Sequence, residues 1–211
     1  YLQHQPWGDL GIDICLGLPM DKKASPYEYM FLPDYIESSF DHAAIIRDGR
    51  QVPLVKRKFA VFEPEQSDLP KQIFHPLYVF SLVLIVSLYL SWKDFKKKKL
   101  TMSFDVVLFG ILGLVGLLFL LLWTATDHKA AAKNFNLLCA LPTHLVAVVA
   151  FIRQPQWLRK YFLIVAVLTG LLLISWFFLP QKMNTNLIPL VLAILARATA
   201  QYLVRKERAR L

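Results

Sequence analysis

The sequence predicts a mainly α-helical membrane protein: five transmembrane helices, preceded by a small extracytoplasmic α+β segment with a β-hairpin. Three observations predict it. Of the 211 residues 56% are hydrophobic, and the mean hydropathy is +0.44, above what a soluble domain carries. Polar residues are segregated: residues 1–72 hold 11 of the 15 acids and 8 of the 24 basic groups, whereas residues 73–204 are long apolar runs broken by short charged patches. The basic residues between those runs alternate in abundance, which gives the chain a direction across a bilayer. The expected organisation is a segment 1–72 outside the cytoplasm and a five-helix membrane domain 73–211 with a cytoplasmic C-terminus.

A hydrocarbon core of about 30 Å is crossed by about 20 helical residues, because backbone polar groups there have no water and must bond within the segment. Five stretches approach that length: Ile73 to Trp92, Phe104 to Thr124, Leu137 to Ile152, Tyr161 to Leu179 and Leu187 to Val204. The third is short and contains Pro142; the fifth contains Pro189 and Arg197. Twelve basic residues fall on one side: Lys93 and Lys96 to Lys99, then Arg153, Arg159 and Lys160, then Arg205, Lys206, Arg208 and Arg210. Three fall on the other, Lys129, Lys133 and Lys182. Cytoplasmic loops retain Lys and Arg, so the N-terminal segment and the loops Ala125 to Asn136 and Pro180 to Asn186 are expected outside. Trp92, Trp123, Trp157 and Trp176 fall near the expected boundaries, where amphipathic rings sit.

Arg197 has two readings, a buried functional charge or a side chain that snorkels. It lies seven residues before Val204, roughly 10 Å from the cytoplasmic end, and the reading preferred from the sequence is snorkelling. Asp105, one residue into the second span, is expected at the interface. Gly110, Gly113 and Gly116 recur every third position of that span. Such a stripe permits close helix packing, the preferred reading, or a groove for an acyl chain.

In the N-terminal segment, Ser25-Pro26-Tyr27-Glu28 has an N-cap hydroxyl, proline at the first helical position and a carboxylate at the third, a capping box. A helix is expected from Pro26, breaking near Leu32 before Pro33 and restarting through Asp34 to His42. Upstream, Leu10, Ile12, Ile14 and Leu16 fit a short helix or a buried strand. Asp48-Gly49 supplies the positive φ angles of a two-residue hairpin turn between Ile45 to Arg47 and Gln51 to Val55. Phe59 to Phe62 fits a third strand, before a polar linker Glu63 to Lys71. The chain opens on Tyr1-Leu2-Gln3-His4 without a signal peptide and is read as a fragment or processed product. About 70 extracytoplasmic residues form a marginal domain.

The net charge of +9 does not point to nucleic acid, since the basic groups sit between apolar runs rather than along one face. Cys15 and Cys139 lie 124 positions apart and suggest neither a disulfide nor a metal framework; no metal and no cofactor are expected. Cys15 with His42 as base would be a nucleophile pair, but Cys15 lies in an apolar run, where cysteine serves as a small hydrophobe. The candidate polar site is at the outward end of the second and third spans: Asp127, His128, Asn134, Asn136 and, two turns further in, His144. It reads either as a hydrogen-bond network joining helices or as a headgroup or substrate site; an imidazole in hydrocarbon faces a partner or a cavity.

Three runs carry a resemblance: Trp7-Gly8-Asp9-Leu10-Gly11-Ile12-Asp13, Gly17 to Pro26, and Tyr29-Met30-Phe31-Leu32-Pro33-Asp34-Tyr35. They resemble the end of the periplasmic domain in the Lnb-like lipoprotein N-acyltransferase family of Bacteroidota. Trp123 to Leu138, with Thr126-Asp127-His128 and Asn134-Phe135-Asn136, resembles that family's membrane part. The resemblance implies transfer of an acyl chain from a phospholipid to the α-amino group of a lipoprotein's N-terminal cysteine, at the outer face of the inner membrane. It implies a papain-like periplasmic domain whose Cys and His pair works through a thioester, expected upstream of Tyr1; the nucleophile role does not pass to Cys15. The partners implied are membrane phospholipid and a lipoprotein substrate.

The rival reading is a non-catalytic membrane anchor or scaffold subunit that positions a periplasmic or membrane protein partner. A transporter is disfavoured, since the five spans show no inverted repeat and few intramembrane charges.

Overall fold

The computed structural model describes residues 5–62 and 74–209. The expected linker Glu63 to Lys71, the first residue of the expected first span, Ile73, and Arg210 lie outside the described residues. In chain order, α1 (Pro6–Cys15) is followed by a 3-10 turn (Leu18–Asp21), α2 (Pro26–Tyr29), α3 (Pro33–Asp41), β1 (Ala44–Arg47) and β2 (Arg50–Pro53). Then come α4 (Pro76–Lys97), α5 (Met102–Thr124), α6 (His144–Ala150), α7 (Trp157–Ser175) and α8 (Ile188–Arg208), with 3-10 turns at Lys129–Ala131, Phe135–Leu138 and Thr185–Leu187. Two compact units result, Tyr1–Asp21 with Lys71–Leu211, and Lys22–Pro70. Residues 5–21 thus group with the long helices rather than with the hairpin.

The Lys22–Pro70 unit follows local rules. Ser25 Oγ accepts from Glu28 N–H at 3.3 Å, and Glu28 Oε2 accepts from Ser25 N–H at 2.7 Å, closing the capping box. Pro33 starts α3 at its first position, with extended Leu32 as the break. Asp48 (φ 52°) and Gly49 (φ 75°) both take the left-handed region, and the strands pair antiparallel from Arg47 with Arg50 to Ala44 with Pro53. Phe59 to Phe62 forms no strand, and the sheet has two strands among the described residues. Phe59, Val61 and Phe62 are exposed; no edge partner holds them.

In the other unit Pro6 opens α1 at its first position, so the undecided run Leu10 to Leu16 is mainly helix. Trp7 Nε1 donates to Phe74 O at 2.7 Å, and its ring meets Phe80 edge-on at 5.8 Å. Among the described residues four helices are long and apolar enough to cross a membrane: Pro76–Lys97, Met102–Thr124, Trp157–Ser175 and Thr185–Arg208. α8 packs along both α4 and α7, and α5 packs against α6 and the 3-10 turns around it. Phe109, Leu158, Phe162, Val191, Ile194 and Ala198 form the fully buried centre. Leucine, valine and isoleucine on the opposite faces of α4, α5 and α7 stay exposed, the pattern of helices whose outer faces meet lipid.

The third of the five expected spans, Leu137 to Ile152, needs correction. It is a 3-10 turn (Phe135–Leu138), a break around Pro142 and the seven-residue α6. Seven helical residues rise about 10 Å, a third of a hydrocarbon core. Pro142 has no N–H to donate and its ring opposes a helix running in from the preceding turn. The chain nevertheless runs from one end of the bundle to the other over this stretch: Phe135 N–H meets Gln181 at one end, and Gln154 Nε2 reaches Met102 Sδ at the other. α7 also begins four residues before the expected Tyr161, and it ends at Ser175, with Trp176 to Phe178 in a turn and Leu179 in a bend.

The glycine stripe of α5 meets this broken segment. A Cβ at Gly116 would lie 1.8 Å from Ala140 O, and one at Gly113 2.8 Å from Leu145 Cγ, whereas nothing lies within 4 Å of Gly110. Irregular backbone at that depth is tolerated only where protein covers it, and here the two glycines allow the cover. At Gly113 and Gly116 the stripe is filled by the chain itself; only Gly110 has open space for an acyl chain.

Gly116→Ala is expected to destabilise the detergent-solubilised protein by about 1–3 kcal/mol, as overpacking does, while Gly110→Ala leaves the unfolding midpoint unchanged. In the smaller unit, the Ser25 backbone N–H, then its hydroxyl, then Lys22 hold the Glu28 carboxyl down to about 2, below its ordinary 4.5. The cap is therefore complete above pH 4.5 and lost as pH falls through about 2. Glu28→Gln should remove this acid transition from an NMR titration of the Ser25 and Glu28 amides.

Candidate functional site

The five sequence-picked polar residues do not form one cluster. Asp127 and His128 are exposed, and His128 Nδ1 lies 2.9 Å from Thr126 Oγ1. Asn134 and Asn136 are buried at the end of the bundle where α1 arrives. His144 is buried deeper, between α6 and α7.

Asn134 and Asn136 belong to a clasp on the C-terminal end of α1. Asn134 Nδ2 donates to Ile14 O at 2.7 Å, Asn136 Nδ2 to the same oxygen at 3.3 Å, and Asn134 Oδ1 accepts from Asn136 N–H at 2.9 Å. Buried Gln181, from the α7–α8 connection, completes it: its Oε1 accepts from Phe135 N–H at 2.6 Å and its Nε2 donates to Leu16 O at 3.1 Å. Helix ends leave carbonyls unsatisfied, and the clasp supplies donors to two of them. Gly17 N–H donates to Ala130 O at 2.8 Å, and a Cβ there would meet Ala132 O at 2.0 Å, so glycine is required at that crossing. Further out, Asn184 Nδ2 donates to Asp13 Oδ2 at 2.7 Å, and Lys182 N–H to Asp21 Oδ2 at 3.1 Å.

His144 is held from both sides. Its Nε2 lies 3.2 Å from Cys139 O, which can only accept, so Nε2 carries the proton. Nδ1 then accepts from Tyr161 OH at 2.7 Å, and that hydroxyl lies 3.2 Å from Thr143 Oγ1. Phe109 closes the ring face at 5.0 Å. His144 meets Cys139 through the carbonyl, not the sulfur; Cys139 Sγ donates to Asn136 O at 3.2 Å. The arrangement joins three chain segments and leaves neither ring nitrogen without a partner.

Neither cysteine is set up as a nucleophile. Burial pushes the Cys15 thiol up, the opposite of what a thiolate needs. His42 Nδ1 is 2.7 Å from Ser38 O on its own helix. Among the described residues no three His, Cys, Asp or Glu side chains group as metal ligands.

The third polar centre lies at the opposite, basic end, and it overturns two expectations. Arg197 does not snorkel, and Asp105 is not interfacial: both are fully buried. Arg197 Nε and Nη2 donate to Asp105 Oδ1 and Oδ2 at 2.7 and 2.8 Å, a bidentate pair, and Nη2 also donates to Asp94 Oδ2 at 2.8 Å. Gln201 Nε2 donates to Asp105, and Asp94 also accepts from Thr101 N–H and Oγ1 at 2.8 and 2.6 Å. A carboxylate buried beside it is a nearer partner for the guanidinium than water about 10 Å away. Asp105 inside an apolar window was the sequence signal; Asp94 was hidden among lysines because α4 runs five residues past the expected Trp92.

A family model described as the Lnb transmembrane domain matches residues 68–209, more than half of the chain. The chain belongs to the Lnb family. No curated protein and no solved structure matches it. It is accordingly a multi-pass membrane protein. The Lnb transmembrane domain contains the His144 pair, the Arg197 cluster and all three clasp side chains, while the carbonyls that the clasp holds, Ile14 and Leu16, precede the matched residues.

Asn134→Ala with Gln181→Ala should speed hydrogen exchange of the α1 amides by on the order of tenfold or more, with α5 and α8 unaffected. Arg197→Ala leaves two buried carboxylates unpaired and should cost about 3–5 kcal/mol in a denaturant titration; Arg197→Lys keeps the charge but not the bidentate pair and should fall between.

Proposed function

We propose that this chain is the membrane part of a lipoprotein N-acyltransferase. In this reading it moves an acyl chain from phospholipid to the N-terminal cysteine of a lipoprotein at the periplasmic face of the inner membrane. The observation that carries the reading is the clasp: Asn134, Asn136 and Gln181 grip the residues that lead from α1 into the Lys22–Pro70 unit. Family membership supports it. Both substrates are lipid-anchored, and a reacting domain fixed at the membrane plane gains effective concentration over one free in solution.

The distribution of charge supports the orientation. Lys98, Arg159, Arg205 and Arg208 gather at the end opposite the clasp, where Arg208 Nε donates to Lys98 O at 2.9 Å. Retention of basic residues in the cytoplasm supports a periplasmic clasp end and α1. Acyl transfer through a thioester needs a thiolate in contact with a base. Among the described residues Cys15 and Cys139 lack that contact, so in this reading the bundle's part is to position rather than to react.

A second reading, a non-catalytic scaffold for a periplasmic or membrane partner, is favoured by one observation: the clasp and the His144 pair are occupied mainly by partners within the chain. Cells lacking the gene separate the two. The acyltransferase predicts N-terminal lipoprotein peptides one acyl chain lighter by mass spectrometry, restored by the intact gene and restored poorly by the Asn134→Ala, Gln181→Ala pair at equal protein level. An unchanged acyl count would exclude the acyltransferase.

A further inference from the structure

Two cavities of different character meet at Pro155, at the basic end of the bundle. The first, about 380 Å³, is lined by Gln154, Gln156, Arg159, Arg205 and Arg208, with no carboxylate among its lining residues. Two of these guanidinium groups are partly used: Arg205 Nε donates to Gln201 Oε1, and Arg208 Nε to Lys98 O, both at 2.9 Å. Arg205 Nη2, however, is buried without an acceptor among the described residues. A buried donor left unmatched is costly, and a charged one more so. The 19-residue α7 also begins here, with Gln156 as a cap that makes no side-chain bond, so the positive end of its dipole lies at the same place.

Nearby acids do not neutralise these arginines. Asp94 and Asp105 are engaged by Arg197, and Glu207 pairs with Lys98 at 2.8 Å. The second cavity, about 890 Å³, is mainly apolar, lined by Leu145, Val146, Val149, Ala150, Ile152 and Trp157, with Pro155 and the single charged residue Arg153 at its edge toward the first. It lies beside α6, whose Val146 and Val149, with Ile152 just beyond, are exposed.

We propose that an anionic phospholipid binds across Pro155, its phosphate in the arginine cavity and an acyl chain along the apolar face of α6. The shared Pro155 favours a lipid over a free phosphate, because one molecule with a charged head and an apolar tail matches both cavities. This site lies at the end opposite the clasp and does not depend on the acyltransferase reading.

The test uses the full chain in nanodiscs of phosphatidylcholine with and without phosphatidylglycerol, with retained lipid counted by native mass spectrometry. Phosphatidylglycerol should be retained preferentially, and Arg159→Gln and Arg205→Gln should each reduce that preference about tenfold, the effect of losing one charge-assisted hydrogen bond. Lys97→Gln, at the same end but outside the cavity, should leave it unchanged. An equal loss in Lys97→Gln would overturn the site in favour of general surface charge. Binding of inorganic phosphate without any preference between the lipids would overturn the lipid as its occupant. Unaltered preference in Arg159→Gln, which has no ion-pair partner among the described residues, would overturn the proposal even where Arg205→Gln fails to fold.

Discussion

A guanidinium held between two carboxylates inside an apolar bundle organises the basic half of this protein. Arg197 on α8 reaches Asp105 on α5 and Asp94 on α4, so the last helix meets two much earlier ones at one charge. Each of the three ions would be costly alone in hydrocarbon, where an unpaired charge costs several kcal/mol. Asp94 also accepts from Thr101 and thereby shapes the turn between α4 and α5. The cluster therefore sets helix register where apolar packing, which discriminates weakly between leucine and lipid, would not.

The other half depends on how a broken segment is covered. Residues 135–154 run along the bundle without forming one helix, and each irregular backbone group needs a partner from the protein. His144 takes Cys139 O, Gln154 Nε2 donates to Phe151 O at 2.6 Å, and Gly113 and Gly116 let α5 approach closely enough to exclude lipid from the break. The short α6 that results leaves an apolar cavity beside it. Small residues on one helix and a proline on another thus act together.

At the clasp, side-chain amides replace what a continuing helix would have given the end of α1. Two asparagines and a glutamine, drawn from two separate connections, donate to Ile14 O and Leu16 O. Such a joint fixes the direction in which the chain leaves α1, which a flexible tether would not.

The sequence by itself determined whatever rests on local or one-dimensional rules. Hydropathy marked the four long helices, because a bilayer imposes a length on any apolar helix, and with them a fifth stretch, Leu137 to Ile152, that the structure breaks. The capping box at Ser25, the break at Pro33 and the Asp48-Gly49 turn followed from φ preferences and short-range hydrogen bonds. The runs around Trp7 and Asn134 carried the family resemblance. Only the tertiary structure decided what lies opposite each polar group. Arg197 and Asp105 are 92 positions apart, and hydropathy sees each as a blemish in its own helix, so neither could be read as the other's partner. The same holds for Asn134 and Ile14, 120 positions apart, and for Pro142, whose break is stable only because Gly116 lies across from it. Burial of charge and of irregular backbone is a property of neighbours, and neighbours are chosen by packing in three dimensions.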